Sequence, residues 1–253
     1  MKIHLLSDLH SEFWKTNKKE KLLSLVQPAD VLVLAGDIAM GCTNTLEAIE
    51  LLSMHYKDVI YIPGNHEYYC GLTLDAFDSF NDFIKYLPEN VHYHNPGTIN
   101  IGDITFITGT LWTNFREDPR AELDAKMCIN DFRRIKDVTP SNMKELFYQH
   151  QQYFKLAYEN RTTEKVCFVS HFMPAVECIS PKWRNVGSTE SSLNKYFAND
   201  LGDWIEGLDC ATWLFGHTHD AVDVTIGTTR CLARPLGYPG EHKQPYEHLI
   251  IEV

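Results

Sequence analysis

The feature that most constrains this chain is a repeated pairing of a short apolar run with polar side chains at its end. Four runs rich in branched aliphatic residues, at 3–6, 31–35, 59–62 and 212–215, each lead into carboxylate, amide or imidazole groups. Uninterrupted apolar runs of this length are typical of strands buried on both faces of a parallel sheet. Because ligand sites form outside the carboxyl ends of such strands, we expect the polar groups to converge at one sheet edge.

The polar groups fall into four ordered blocks. They are Asp8-Leu9-His10, Gly36-Asp37, Gly64-Asn65-His66-Glu67 and Gly216-His217-Thr218-His219. The two shortest blocks have little specificity alone, whereas the complete ordered set is hard to obtain by chance. Carboxylate, amide and imidazole donors bind divalent metal ions. The sequence therefore predicts a metal site at the sheet edge.

The segments between the runs predict how the strands pair. Residues 18–26 and 44–54 carry apolar side chains at helical spacing, and Asn17 is the expected N-cap of the first helix. A strand-helix-strand-helix-strand order predicts parallel pairing through right-handed crossovers. Asp8, Asp37 and Asn65 should then lie on one rim.

The rest of the chain predicts a second sheet. After a helix at about 72–86, strands are expected at 91–93, 98–101, 104–108, 166–170, 212–215, 222–226, 229–232 and 248–253. The fold class is therefore α/β (α+β), with two stacked mixed sheets flanked by helices. The succession of predicted strands is interrupted at residues 113–161, which we interpret as an irregular or helical insertion. Within it, Thr139-Pro140 begins a helix. We interpret His150, on the apolar stripe of that helix, as a packing residue.

Charge and termini limit the classes of function. The formal net charge of -11 disfavours stable binding to duplex nucleic acid, although a small phosphorylated substrate remains possible. Two divalent cations beside Asp8 and Asp37 would leave the site locally positive at about +2. A strand follows Met1-Lys2 at once and no apolar run has transmembrane length, so we expect no signal peptide, no membrane span and a cytoplasmic protein.

The seven cysteines form no Cys-x-x-Cys pair. Cys167, Cys210 and Cys231 stand in apolar runs, which favours buried reduced thiols over disulfides or zinc ligands. No linker, repeat or low-complexity tract divides the chain. If Asp8 and His219 bind the same metal cluster, residues from both ends of the sequence must lie in the same domain. We therefore expect a single domain over residues 1–253.

The ordered blocks resemble those of the calcineurin-like metallophosphoesterases, in which a lone histidine after a strand stands between the third and fourth blocks. His171 takes that place here. The chain is also similar to a bacterial and phage branch of the superfamily, although Leu236 stands where that branch usually has arginine. The matching segments are Thr110-Leu111-Trp112-Thr113, Asp131-Phe132-Arg133 and residues 234–241. This resemblance implies a four-layer αββα sandwich.

The resemblance also implies a dinuclear metal centre. Asp37 corresponds to the bridging carboxylate, Asp8, His10 and His219 to the other ligands of one metal, and Asn65, His171 and His217 to those of the second. Oxygen and nitrogen donors without thiolate suit Mn²⁺, with iron or Zn²⁺ as alternatives. Two cations about 3.5–4 Å apart would hold a water largely as hydroxide, which is the expected nucleophile for in-line attack on phosphorus.

The resemblance assigns His66 as the general acid that protonates the leaving group. Glu67 either orients a ligand or caps the following turn, and the sequence does not separate these roles. Phosphate-binding candidates are Trp112, Arg133 and Arg134, with Trp112 expected at the site mouth rather than in the core. Further candidate arginines are Arg116, Arg120, Arg161 and Arg184.

The substrate class is predicted from a departure from the pattern. Protein Ser/Thr phosphatases of the superfamily continue the Gly-Asp block into Asp-Arg-Gly, whereas Met40 and Gly41 stand here and can neither support His66 nor hold a phosphate. We therefore expect a metal-dependent hydrolase of phosphodiesters or small nucleotide-like esters, with a phosphomonoesterase as the alternative. A nuclease is disfavoured by the acidic chain, and a non-catalytic scaffold by the complete ligand set.

Overall fold

The computed structural model describes residues 1–74, 81–184, 186–209 and 211–253. Strands in these ranges form two mixed sheets, as the sequence predicts. The strands are β1 (Lys2–Leu6), β2 (Val31–Ala35), β3 (Asp58–Ile62), β4 (Val91–Tyr93), β5 (Gly97–Ile101), β6 (Ile104–Thr108), β7 (Lys165–Val169), β8 (Thr212–Phe215), β9 (Val222–Ile226), β10 (Thr229–Ala233) and β11 (Leu249–Glu252).

The first sheet has the order β11-β1-β2-β3-β4, and the second has the order β5-β6-β7-β8-β10-β9. Strands β1 to β4 run parallel, while β11 pairs antiparallel with β1. In the second sheet β6, β7, β8 and β10 run parallel, and β5 and β9 are antiparallel edge strands. The central parallel strands of both sheets thus bring their carboxyl ends to sheet edges that can carry a site.

Alternate residues of the central strands fill different layers. In β2, where all five residues are buried, Val31, Val33 and Ala35 join an apolar cluster that contains residues of both sheets. Leu32 and Leu34 belong instead to the larger cluster formed with helical residues. The two-residue period of a strand explains this division. It also explains why the run is apolar throughout, since both of its faces are covered.

The described helices are α1 (Lys18–Ser24), α2 (Cys42–Ser53), α3 (Asn81–Tyr86), α4 (Pro119–Cys128), α5 (Asp131–Arg134), α6 (Pro140–Glu159), α7 (Ser188–Phe197) and α8 (Gly202–Glu206). Helix α6 begins as predicted, with a reciprocal capping box between Thr139 and Asn142. Its stripe of Met143, Phe147, His150 and Phe154 is buried. The segment 113–161 is therefore mainly helical.

Several local expectations have a different outcome. Asn17 does not cap α1 through its side chain, because its backbone lies in the left-handed region and its carbonyl accepts from Lys21 instead. Of the helix predicted at 72–86, residues 75–80 lie outside the described residues, and so does Cys210.

Cys167 and Cys231 are buried, as the sequence predicts. Among the helices of the described ranges, none combines the length and apolarity that a bilayer crossing requires.

Candidate metal centre

The loops that follow the strands adopt strained backbone conformations at the candidate ligands. Asp8, His10 and Asp37 have φ of 53°, 45° and 55°, and His217 and His219 have φ of 65° and 51°. Residues other than glycine rarely adopt a positive φ in this region. Backbone contacts hold the loops in place, because the Asp8 amide donates to the Gly36 carbonyl and the His217 amide donates to the Asp8 carboxylate, at 3.0 and 2.9 Å. Strain of this kind is often retained at functional sites.

Two glycines of the sequence blocks allow the loops to approach each other. A Cβ at Gly36 would collide with the Nδ1 atom of His171 and lie 2.7 Å from the Gly64 nitrogen. A Cβ at Gly64 would collide with the Asp37 carboxylate and lie 2.6 Å from the His171 ring. These glycines are therefore required by close packing around Asp37 and His171.

The first group of candidate ligands comprises Asp8, His10 and His219. The Nε2 atoms of His10 and His219 are 2.9 Å apart, and His219 Nε2 lies 3.5 Å from an Asp8 carboxylate oxygen. Two nitrogens at about 2.1 Å from one ion and at right angles to each other would be about 3 Å apart. The donor spacing therefore fits a shared cation.

The second group comprises Asp37, His171 and His217, with Asn65 beside it. The Nε2 atom of His171 lies 3.0 Å from the Asn65 side-chain oxygen and 3.5 Å from Asp37 Oδ1. The other Asp37 oxygen lies 3.8 Å from His10 Nε2, in the first group. One carboxylate oxygen thus faces each group, so the position of Asp37 is compatible with a bridging ligand.

The histidine nitrogens are suited to metal binding. His217 Nε2 is buried and has no hydrogen-bond partner. Burial and the nearby charge of His171 hold the pKa of His217 well below its ordinary value, so its ring stays neutral. An unpartnered buried nitrogen beside carboxylates is costly unless it binds an ion. The residues present therefore fit a metal centre.

Residues that are not candidate ligands contact the candidate ligand histidines and orient their rings. The sequence analysis assigned none of these contacting residues a role. His171 Nδ1 pairs with the Ala35 carbonyl at 2.8 Å, and His219 Nδ1 pairs with Glu241 at 2.8 Å. Burial lowers the pKa of His219, but its contacts with Asp8 and Glu241 raise it to about 10. Such contacts fix which ring nitrogen faces a metal.

Asp131 performs the same task for Asn65. It accepts a hydrogen bond from the Asn65 amide nitrogen at 2.8 Å, which directs the amide oxygen of Asn65 toward His171. The hydroxyls of Tyr69 and Tyr196 also donate to Asp131, at 2.7 and 2.5 Å. Asp131 and Glu241 lie within the branch-specific segments of the sequence, so those segments were the available signal.

Glu67 holds backbone rather than a ligand side chain. Its buried carboxylate accepts from the amides of Asp37, Ile38 and Gly64, at 3.0, 2.8 and 2.8 Å. The sequence left open whether Glu67 orients a ligand or caps the following turn, and its contact with the Asp37 amide corresponds to the first role, exerted through the backbone. The carboxylate joins the loop after β2 to the loop after β3.

His66 lies beside the first group and faces a carboxylate that the sequence did not identify. Its Nδ1 atom is 3.2 Å from Glu12, its Nε2 atom is 3.2 Å from the Tyr238 hydroxyl, and its ring stacks on Tyr69. Burial lowers the pKa of His66, but the charges of Asp37 and Glu12 raise it above its ordinary value overall. His66 is therefore held in one orientation and favours the protonated form.

The substrate-binding candidates lie elsewhere. Trp112 is 1% exposed and packs against the rings of Tyr68 and Phe172, so its expected position at the site mouth is wrong. Arg133 donates to the Met127 carbonyl, and neither Arg133 nor Arg134 lines the cleft beside the candidate ligands.

That cleft has a volume of about 430 Å³ and is lined by Asp37, Asn65, His66, His217 and His219. Among the described residues that line it, none is lysine or arginine. Segments around Ile129, Met173 and Ile179, helix α7, and the tail at Tyr238 and Glu241 complete the walls.

Comparison with known proteins identifies the class. The family model described as calcineurin-like phosphoesterase matches residues 1–221. The chain belongs to the calcineurin-like phosphoesterase family, whose members use divalent metal ions, and it is a phosphoester hydrolase. The sequence-based recognition of this family is confirmed.

Two similar proteins cover nearly the whole chain. The uncharacterized protein L509 of Acanthamoeba polyphaga mimivirus is 25% identical over 99% of this chain and 96% of its own length. The crystal structure of the phosphopantetheinyl hydrolase PptH from Mycobacterium tuberculosis matches with a TM-score of 0.75 and 19% identity, and the match covers 96% of this chain and 93% of that one. The structural match establishes the shared fold.

Proposed function

We propose that this protein is a two-metal phosphodiesterase. The observation that carries the proposal is the position of Asp37, with one carboxylate oxygen toward His10 and the other toward His171. Asp8, His10 and His219 would hold one cation and Asn65, His171 and His217 the other, with Asp37 shared between them. Mn²⁺ is the proposed metal, because oxygen and nitrogen donors predominate and no thiolate is present.

A pair of divalent cations bound in this centre would supply Lewis-acid activation of the phosphate group and of the attacking water. His66 is proposed as the proton donor to the leaving oxygen. Glu12 accepts from Nδ1 of His66 and so directs Nε2, the nitrogen near Tyr238, toward the cleft. Glu12 thereby supplies the carboxylate support that Met40 cannot give. The convergence of all these groups favours an enzyme over a scaffold.

The preference for a diester follows from the charges that line the cleft. A phosphomonoester dianion carries one more negative charge than a diester, and the described lining offers no lysine or arginine to match that charge. The candidate arginines are engaged elsewhere. Arg116 donates to the Ala198 carbonyl, Arg120 to Asp124, Arg161 to the Tyr158 carbonyl and Arg184 to the Ile179 carbonyl.

The candidate ligands come from loops of both sheets, which supports the prediction that residues 1–253 act as one domain. The proposed substrate is a small phosphodiester rather than duplex nucleic acid, in keeping with the net charge of -11.

The test compares a matched pair of substrates with Mn²⁺-loaded protein. We expect a higher kcat/KM for bis(p-nitrophenyl) phosphate than for p-nitrophenyl phosphate, loss of both activities with chelator, and little release of phosphate from phosphoserine peptides. A monoester preference of tenfold, about 1.4 kcal/mol of transition-state binding, would overturn the diesterase proposal.

A further inference from the structure

One wall of the cleft beside the candidate metal centre is uncharged and rich in apolar side chains, with Asn130, Ser180 and Asn194 as its polar members. Helix α7 and the segments near residues 129 and 173–183 supply Ile129, Met173, Ile179, Trp183, Leu193 and Phe197. The wall reaches the candidate ligands at His217, whose ring centroid lies 5.1 Å from that of Phe197. Trp183, which is 45% exposed, lies at the open side. An apolar surface therefore extends outward from the proposed phosphate position.

The cationic side chains of neighbouring segments have partners of their own. Lys182 pairs with Asp220 at 2.6 Å and Lys195 pairs with Asp118. Arg184 donates to the carbonyls of Glu177 and Ile179. Residues 75–80, 185 and 210, which separate the described ranges, include no lysine or arginine in the sequence. Among the described residues that line the cleft, none is a lysine or arginine that could pair with an anionic group.

The carboxylates at the cleft are also engaged. Asp131 accepts from Asn65, Tyr69 and Tyr196, and Glu241 contacts His219 and the Tyr238 amide. A cationic group on a substrate would find no uncommitted carboxylate among them. The wall is therefore complementary to an uncharged group, whose apolar surface would be removed from water on binding.

His66, the proposed proton donor to the leaving oxygen, lies beside Tyr238, whereas the wall meets the candidate ligands at His217. We propose that this wall binds the ester arm that stays on phosphorus, and that the arm is an uncharged, largely apolar organic group. The inference rests on the proposed diester hydrolysis. Water adds to phosphorus, the bond to the leaving oxygen breaks, and that oxygen takes a proton and departs as an alcohol. The retained arm then leaves as its phosphate monoester. This product carries one more negative charge than the diester, and the uncharged wall offers no group that would bind that charge.

The activity test uses Mn²⁺-loaded protein and three p-nitrophenyl diesters, whose second ester group is methyl, hexyl or 5-carboxypentyl. We expect kcat/KM for the hexyl ester to exceed that for the methyl ester at least tenfold, and the carboxypentyl ester to lose most of this advantage. The hexyl and 5-carboxypentyl arms have the same number of carbon atoms, so a difference between their kcat/KM values reports the apolarity of the wall rather than its length. Equal values for the methyl and hexyl esters would overturn the proposal.

A binding test distinguishes failure of this inference from failure of the proposed function. Calorimetry measures the affinity of Mn²⁺-loaded protein for hexyl methylphosphonate and for methyl methylphosphonate. These monoanions resemble a diester, their P–C bond resists hydrolysis, and their alkoxide is a poor leaving group. Tighter binding of the hexyl compound supports the wall even if no diester is cleaved. Hydrolysis of every diester without arm-dependent binding would refute the wall and leave the phosphodiesterase proposal intact.

Variants locate the effect. Leu193→Asn and Ile129→Asn should each remove most of the hexyl advantage, so that kcat/KM falls much further for the hexyl ester than for the methyl ester. Leu156→Asn, at an exposed leucine of α6 outside this cleft, is the matched control and should change neither value. Equal losses on methyl and hexyl esters would instead place the leaving group on the wall and contradict the assignment of the retained arm.

Discussion

The candidate ligands combine predictable chemistry with unusual backbone geometry. Five of them, Asp8, His10, Asp37, His217 and His219, have positive φ, where residues with a Cβ are uncommon. Glu67 supports this arrangement because its carboxylate accepts hydrogen bonds from three backbone amides, in the loops after β2 and β3. Hydrogen bonds donated to this buried carboxylate therefore help to offset the conformational cost at Asp37.

The proposed bridging role of Asp37 is tested by removing its charge. Asp37→Asn should lower the number of bound metal ions and reduce turnover by several orders of magnitude, because one neutral amide cannot neutralise two cations. Metal analysis and steady-state kinetics on the same preparation measure both effects. Full metal content with near-native turnover would remove Asp37 from the mechanism.

The role of His66 is tested through the basicity of the leaving group. His66→Ala should matter little for p-nitrophenolate, which departs unprotonated, and reduce turnover by about 10²–10⁴ for alkyl leaving groups. Glu12→Gln should give a smaller loss with the same dependence on the leaving group, because an amide still accepts from Nδ1. Glu20→Gln, on the exposed part of α1, is the control. A loss of equal size on every substrate would indicate a different role for both residues.

The sequence identified the candidate ligands because each stands next to an apolar run in a recognisable block. It could not identify Glu12, Asp131 or Glu241 as supporting groups, since their partners lie 54, 66 and 22 positions away in the chain. The branch-specific segments mark the positions of Asp131 and Glu241 but do not state which residues they contact. Trp112 was misplaced for a related reason: proximity to a strand end does not determine whether a ring turns inward or outward.

At the scale of elements, the strands were the most predictable part of the fold. A run such as Val31–Ala35 is buried on both faces, so its composition alone gives its bounds. Helix α1 was less predictable at its start, since Asn17 satisfies the N-cap preference and yet forms no capping contact through its side chain. Capping depends on the backbone conformation of one residue, which the sequence pattern does not determine.

Helix α6 carries a buried histidine that should make stability depend on pH. Burial lowers the pKa of His150 to about 3, from 6.5 in the unfolded chain, and its Nδ1 atom accepts from the Leu111 amide at 3.1 Å. Between these values the unfolded state binds a proton that the folded state does not, so stability falls as the pH decreases from 6.5 toward 3. One proton gives a slope of about 1.4 kcal/mol per pH unit.

Urea unfolding across this pH range measures the slope. His150→Gln should reduce it by up to the contribution of one proton, because glutamine keeps an acceptor for Leu111 but does not titrate. His55→Gln, at an exposed histidine, should leave the slope unchanged. An unaltered slope in His150→Gln would show that His150 is protonated equally in the folded and unfolded states.

At the scale of the whole molecule, the candidate metal centre lies where the two sheets meet. Asp8, Asp37 and Asn65 follow β1, β2 and β3 of the first sheet, and His171 and His217 follow β7 and β8 of the second. Each sheet alone carries only part of either ligand group. Metal binding would therefore join two layers that otherwise contact each other mainly through apolar side chains.

Metal removal should accordingly lower the stability of the entire fold. A ligand at about 100 times its Kd adds about 2.7 kcal/mol to the stability of the native state, provided that the unfolded chain does not bind it. For a chain of this size that corresponds to a rise in Tm of roughly 5–10 °C. Thermal unfolding followed by circular dichroism, with Mn²⁺ and then with excess chelator, measures the difference. Asp37→Asn should lose most of the Mn²⁺-dependent rise because it weakens both proposed metal positions together. Identical melting of the native protein with Mn²⁺ and with chelator would contradict a metal centre shared by the two sheets.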